Sequence, residues 1–333
     1  NRVAESQAVA NRIVIDSVVN DPIFRQILKE VLPQLQRNPN PIIYKVENPA
    51  DATNSSSLRE FNVNTSSLPS DRIPDIFIYG ILNNGKEDAW TFYNNFNNAI
   101  GMFNAANAHA FSNVDIYIVA YDTRIEFADV GFSDGVSNTQ RVIIPPTSPI
   151  LPVLMWREWE RRATITANQA VFPFLKKMSD SNIKGRAIAH SLGNFVLASA
   201  AQRLVAKSSN SLNQPLLSWF AVAPAIPSNA FSVTGIFEDA PFITDDNTSV
   251  FFSRNDAALS GPYVIANGHQ AMGQTGALNS SAFVVNVDVT LCLGTTLHEA
   301  KWYFNAMAPI VRRILGIDSS NIPSCAVINP PVF

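Results

Sequence analysis

Lys184-Gly-Arg-Ala-Ile-Ala189-His190-Ser191-Leu192-Gly193-Asn194 is the stretch on which the fold turns. Residues 185–190 read as a short buried strand, and residues 192–205 as a helix with apolar positions at helical spacing. Ser191 stands between them, with Ala189 two residues before it and Gly193 two after. A serine held in a tight strand-to-helix turn needs small neighbours at both places, because strand and helix pass closely there. The usual pattern is G-x-S-x-G, and Ala189 meets the same steric need. The helix behind Ser191 points its positive dipole end at the turn, where the Leu192 N–H is placed to donate to an oxyanion. The plain alternative is a serine N-cap, a common use of the residue at such a junction. The strand–turn–helix context favours a nucleophile.

Outward from this turn, strands and helices alternate. Asp75-Ile-Phe-Ile-Tyr-Gly80 is a mostly apolar run ending in Gly, as expected of a central strand buried on both faces. Further strands are expected over 114–120, 216–222, 249–252 and 282–289, with helices over 86–108, 152–178 and 299–315. That alternation points to an α/β protein with a mostly parallel central sheet flanked by helices. Residues 121–150 have no clear period and contain Gly131, Gly135, Pro145, Pro146 and Pro149, which marks a lid-like insertion. The division expected is an N-terminal extension, residues 1–73, packed on a main domain, residues 74–333. The extension reads as helix over 3–36, punctuated by Asp21-Pro22, followed by short strands over 42–46 and 58–63.

Composition removes several classes. With a net charge of −3 and scattered Lys and Arg, the chain lacks the basic patch of a nucleic-acid binder. Two cysteines cannot build a Cys-rich zinc site, so neither a metal nor another cofactor is expected. No apolar run approaches the length of a membrane span; residues 146–156 are too few. Charged residues are only 15% of the chain and about a tenth of it is Asn, so neutral polar groups supply much of the solubility. That balance, and a first residue that is not Met, suggest a processed, exported protein. N-x-S/T sequons at Asn54, Asn64, Asn247 and Asn279 add little in so Asn-rich a chain.

A serine nucleophile needs a base, and in the order Ser…Asp/Glu…His the base comes last. His190 lies inside the turn and reads as structural; His109 precedes it. His298, at the start of the last helix, is preferred, and His269 in the Gly-rich loop before the last strand is the alternative. The acid should follow the preceding strand. Asp256 does so in Ser249-Val-Phe-Phe-Ser-Arg-Asn-Asp256, where it could instead be a simple helix N-cap. Asp239, Asp245 and Asp246 come before that strand. After the first central strand, Gly80 permits a sharp turn, and the Ile81 N–H, with Leu82 next, is the candidate second oxyanion donor. Leu82, Phe132 and His190 are the residues expected to line the substrate site.

These segments resemble the α/β-hydrolase superfamily, and within it the DUF900-type bacterial hydrolases. The likeness rests on Ile76-Phe-Ile-Tyr-Gly80 followed by Lys86-Glu-Asp-Ala-Trp90, on Ala189-His-Ser-Leu-Gly-Asn194, and on Ser253-Arg-Asn-Asp-Ala-Ala-Leu259. The strand over 219–225 and His298 ahead of the final helix also fit, so the likeness spans residues 74–315. It implies a Ser191–Asp256–His298 triad, no metal, and acyl substrates of the ester type. The chain departs from the family in having Tyr79-Gly80 for His-Gly, and Ile81-Leu82 for Tyr-Asn.

The expected activity is therefore hydrolysis of a small or polymeric carboxylic ester through an acyl-enzyme, without nucleic-acid partners. Other readings are a non-catalytic exported binding protein on the same fold, and an acyltransferase using the same triad. Cys292 and Cys325 would be able to pair in an oxidising compartment. Closing that loop would add about 3–4 kcal/mol in the chain-entropy treatment.

Overall fold

Apolar, β-branched runs such as Val114-Asp-Ile-Tyr-Ile-Val-Ala120 are suited to strands covered on both faces, and they form the middle of the sheet. The computed structural model describes residues 37–125, 150–208, 212–294, 298–319 and 321–330. The expected helix over 3–36, most of the 121–150 insertion and Phe132 lie outside the described residues. Among the described residues the strands are β1 (Ile42–Val46), β2 (Leu58–Glu60), β3 (Ile73–Ile78), β4 (Val114–Ala120), β5 (Gly185–His190), β6 (Leu216–Val222), β7 (Thr244–Phe252), β8 (Val284–Asp288) and β9 (Val327–Asn329). They form a single sheet in the order β2-β1-β4-β3-β5-β6-β7-β8-β9. The run from β4 to β8 is parallel; β1, β2 and β9 are antiparallel additions at the two edges. The short strands expected in the extension are thus part of the central sheet itself.

The long helices are α1 (Gly85–Ile100), α2 (Ile150–Thr166), α3 (Phe172–Asp180), α4 (Gly193–Lys207) and α5 (Ala300–Ile314). Successive strand residues face opposite ways, and this places the helices on both sides. Phe77 of β3 meets Phe92, Tyr93 and Phe96 of α1, which in turn meets Phe304 of α5. Its neighbour Ile76 pairs with Tyr117, whose ring lies on Phe174 of α3, across the sheet. Between β3 and β5, Arg186 grips Asp75 with two bonds of 2.7 and 2.9 Å. Burial raises the Asp75 pKa, and the Arg186 charge opposes that rise.

Several elements differ from the sequence reading. The helix expected over 86–108 stops at Ile100, where Gly101 takes a left-handed cap (φ +69°), and a short 3-10 turn, Ala108–Phe111, follows. The helix expected over 152–178 is one long rod, α2 and α3 joined through a π turn, Ala167–Val171. Pro173 explains the irregularity, since it has no N–H to offer the ladder. β7 starts at Thr244, so Asp245 and Asp246 lie within the strand instead of before it. β9 was not expected, because three residues carry too short a pattern to detect.

Cys292 and Cys325 are joined by a disulfide, with Cα atoms 5.0 Å apart. It ties the segment before His298 to the tail that carries β9. Cys292→Ser with Cys325→Ser is expected to lower the unfolding free energy by about 3–4 kcal/mol. Urea unfolding of the variant, beside wild-type protein with and without reductant, measures this.

Candidate active site

β5 delivers its last residue, His190, and then Ser191 to the end of the parallel strands, where α4 begins. Ser191 has φ +53°, a conformation that costs a non-glycine residue about 1–3 kcal/mol and persists only when its surroundings enforce it. The enforcement is visible. The Ser191 N–H donates to the Val222 carbonyl at 2.9 Å, and the Ala225 N–H donates to the Ser191 carbonyl at 3.2 Å. Asn194, fully buried, donates from Nδ2 to the carbonyls of Ala189 (3.0 Å) and Val222 (3.2 Å) and accepts the Trp219 indole N–H at 3.1 Å. A Cβ on Gly193 would collide with the Ile78 and Tyr79 carbonyls, so the small residue two after the serine is a steric requirement.

The His298 imidazole reaches both expected partners. Its Nε2 lies 2.8 Å from Ser191 Oγ, and its Nδ1 lies 2.7 Å from Asp256 Oδ2. Both Asp256 and Ser191 are wholly buried. Asp256 serves two roles at once. Oδ1 accepts the Ala258 and Leu259 N–H groups, each at 3.1 Å, which caps the turn that follows. Oδ2 is left for His298 and for the Tyr303 hydroxyl, which donates to it at 2.8 Å. Burial, with the Asp256 charge next, pushes the Tyr303 pKa well up, so it remains a donor.

His269, the alternative base, is exposed and lies against Tyr263 with ring centres 5.6 Å apart; His109 is exposed in the Ala108–Phe111 turn. His190 differs from its expected place in the substrate wall. It is buried beneath His298, 5.0 Å between ring centres, and its Nε2 donates to the His298 carbonyl at 2.9 Å. The acceptor is a carbonyl, so the proton must sit on Nε2. Burial first, and then the His298 charge, hold its pKa down at about 3, so His190 stays neutral. Unfolded, it would titrate near 6.5. Between those values the unfolded chain carries a proton that the folded chain does not, so stability falls as the pH drops through that window. His190→Gln is expected to flatten this fall in thermal melts between pH 7 and pH 4; an unchanged acid slope would contradict it.

Gly80 abuts the nucleophile: a Cβ there would stand 2.7 Å from Ser191 Cβ. The Ile81, Leu82 and Leu192 N–H groups have no protein acceptor among the described residues. Leu82 has φ +63° and its side chain is 63% exposed at the loop tip. Among the described residues no group of His, Cys, Asp or Glu side chains could hold a metal ion, and no helix is long and apolar enough to cross a membrane.

Tyr303 and the role of Asn194 escaped the sequence reading. Asn194 left one signal, a polar residue on the apolar face of α4. Tyr303 left none, because its partner is distant in the chain.

A solved structure similar to this chain is the crystal structure of LpqC, poly(3-hydroxybutyrate) depolymerase from Bordetella parapertussis. The two are 12% identical over 73% of this chain and 79% of that one, with a TM-score of 0.32. A likeness this slight says nothing of activity. No curated protein sequence matches the chain. A family model described as an alpha/beta hydrolase of unknown function (DUF900) matches residues 103–292. That span is more than half of the chain and includes both the serine turn and Asp256, and the protein belongs to this family of α/β hydrolases.

Proposed function

We propose that the protein is a serine hydrolase of carboxylic esters. The observation that carries the reading is the unbroken relay from Ser191 Oγ to His298 Nε2 at 2.8 Å and from His298 Nδ1 to Asp256 Oδ2 at 2.7 Å. Ser191 Oγ attacks the acyl carbonyl while His298 Nε2 takes its proton. The carbonyl oxygen becomes an oxyanion, held by the Leu192 and Ile81 N–H groups. His298 then returns the proton to the departing alkoxide as the C–O bond breaks. Water, deprotonated by His298 Nε2, attacks the acyl-enzyme carbonyl; the ester bond to Ser191 Oγ breaks, Nε2 returns the proton to Oγ, and the free acid leaves. Asp256 keeps His298 in the tautomer with Nδ1 protonated and stabilises its charged form.

An exported location suits the Cys292–Cys325 disulfide, since such bonds persist in oxidising compartments. The test of activity is a panel of p-nitrophenyl esters of increasing acyl length, with Ser191→Ala as control, beside labelling by a fluorophosphonate probe. Hydrolysis and labelling that both vanish in Ser191→Ala are the expected result. Equal labelling of wild type and variant would overturn the reading.

A further inference from the structure

The loop after β3 is held by the segment that follows β4. The Asn83 N–H donates to Thr123 Oγ1 at 2.9 Å, and the Thr123 N–H and hydroxyl both reach the Asn83 carbonyl, at 3.0 and 2.9 Å. Asn83 folds its own Nδ2 back onto the Ile81 carbonyl at 2.8 Å and the Gly80 carbonyl at 3.3 Å. Thr123 Oγ1 also lies 3.3 Å from the Gly80 carbonyl. The carbonyls of residues 80, 81 and 83 are therefore all engaged by the side chains of Asn83 and Thr123, the last of them by the Thr123 N–H as well.

Thr123 is fully buried and is itself fixed. Its carbonyl accepts the Trp159 indole N–H at 2.7 Å, and the flanking Asp122 and Arg124 carbonyls accept from Arg162 Nη1 at 3.2 and 2.9 Å. Just upstream, the Tyr79 and Tyr121 rings stack, 5.2 Å between centres, and each hydroxyl donates to the other residue's carbonyl.

The sheet order gives this arrangement its direction. Thr123 follows β4 and Ser191 follows β5, and β3 lies between those two strands. In a trans peptide the N–H points opposite to the carbonyl of the preceding residue. The Gly80 carbonyl, drawn toward Thr123 on the β4 side, turns the Ile81 N–H toward the β5 side, where Ser191 stands. The geometry points to Thr123 and Asn83 as positioning residues that aim the oxyanion-binding Ile81 N–H, a device supplied by the strand on the far side of β3. This rests on the serine-hydrolase reading and extends it to residues that never touch the substrate.

The test uses the whole protein and initial rates on the best p-nitrophenyl ester. Thr123→Val keeps shape and the backbone bond to Asn83 but removes the hydroxyl. It is expected to lower kcat about 10- to 100-fold, part of the loss seen on deleting a whole oxyanion donor, with KM nearly unchanged. Thr123→Ser is expected to recover most of that loss. Asn83→Ala, at a half-buried loop position, is expected to show the same selective fall in kcat, and stands in if Thr123→Val does not fold by circular dichroism. A folded Thr123→Val or Asn83→Ala enzyme with wild-type kcat would overturn the inference while leaving the triad reading intact. Wild-type activity that survives Ser191→Ala would remove both.

Discussion

Ser191→Ala and His298→Ala are each expected to lower kcat on an activated ester by a factor on the order of 10⁶, and the double variant is expected to be no slower than either. The reason is that the two side chains act as one device. In the proposed mechanism the 2.8 Å contact between Oγ and Nε2 lets attack and proton transfer occur together. Without the imidazole, Ser191 is an ordinary alcohol with no base in reach. Without the hydroxyl, His298 has nothing to deprotonate but water. The oxyanion donors remain in all three variants, so a residual rate above that of buffer should persist. Stopped assays at high enzyme concentration on the wild type, both single variants and the double variant give the comparison. Losses that multiply in the double variant would mean that the two residues work separately.

Asp256 offers the second large effect, and its two carboxylate oxygens, which meet different partners, let the proposed catalytic role be tested apart from stability. Asp256→Asn can keep an oxygen at the Oδ1 position, where it accepts the Ala258 and Leu259 N–H groups, so the cap survives. Its amide nitrogen then faces His298 Nδ1. An amide donates there instead of accepting, which forces the proton to Nε2 and leaves His298 unable to take one from Ser191. A fall in kcat of about 10⁴-fold with a small change in Tm is expected. Asp256→Ala removes the cap as well and is expected to lose about 1 kcal/mol or more of stability in addition. Thermal melts and rates on the same preparations decide the point. Equal loss of stability in the two variants would show that Oδ1 contributes nothing as a cap, and near-wild-type kcat in Asp256→Asn would remove it from the relay.

The disulfide and the acid sensitivity of His190 bear on the same corner of the molecule. The Cys292–Cys325 bond anchors the chain on one side of His298, and His190 holds the His298 carbonyl from below. His298 is thus bracketed by a covalent tie at Cys292 and a hydrogen bond from His190.

Local chemistry made much of this protein legible before any coordinates. The small–x–Ser–x–Gly turn, the strand ends followed by Asp256, and His298 ahead of the last helix are short-range patterns, and each is dictated by residues within a few positions of one another. Period and apolar run length likewise placed β4, β5 and β6 at their ends, because strands covered on both faces leave little freedom of composition. The double use of the Asp256 carboxylate, one oxygen on the turn that follows and the other on His298, was not legible. It depends on a distance between residues dozens of positions apart, which only the assembled sheet establishes. The same holds for Tyr303 on Asp256, His190 beneath His298, and Thr123 behind Gly80. A tyrosine, a histidine or a threonine carries the same sequence signal whether it faces a carboxylate, a carbonyl or water. Which of these it meets is decided by strand order and packing, and strand order is a long-range property that no local pattern records.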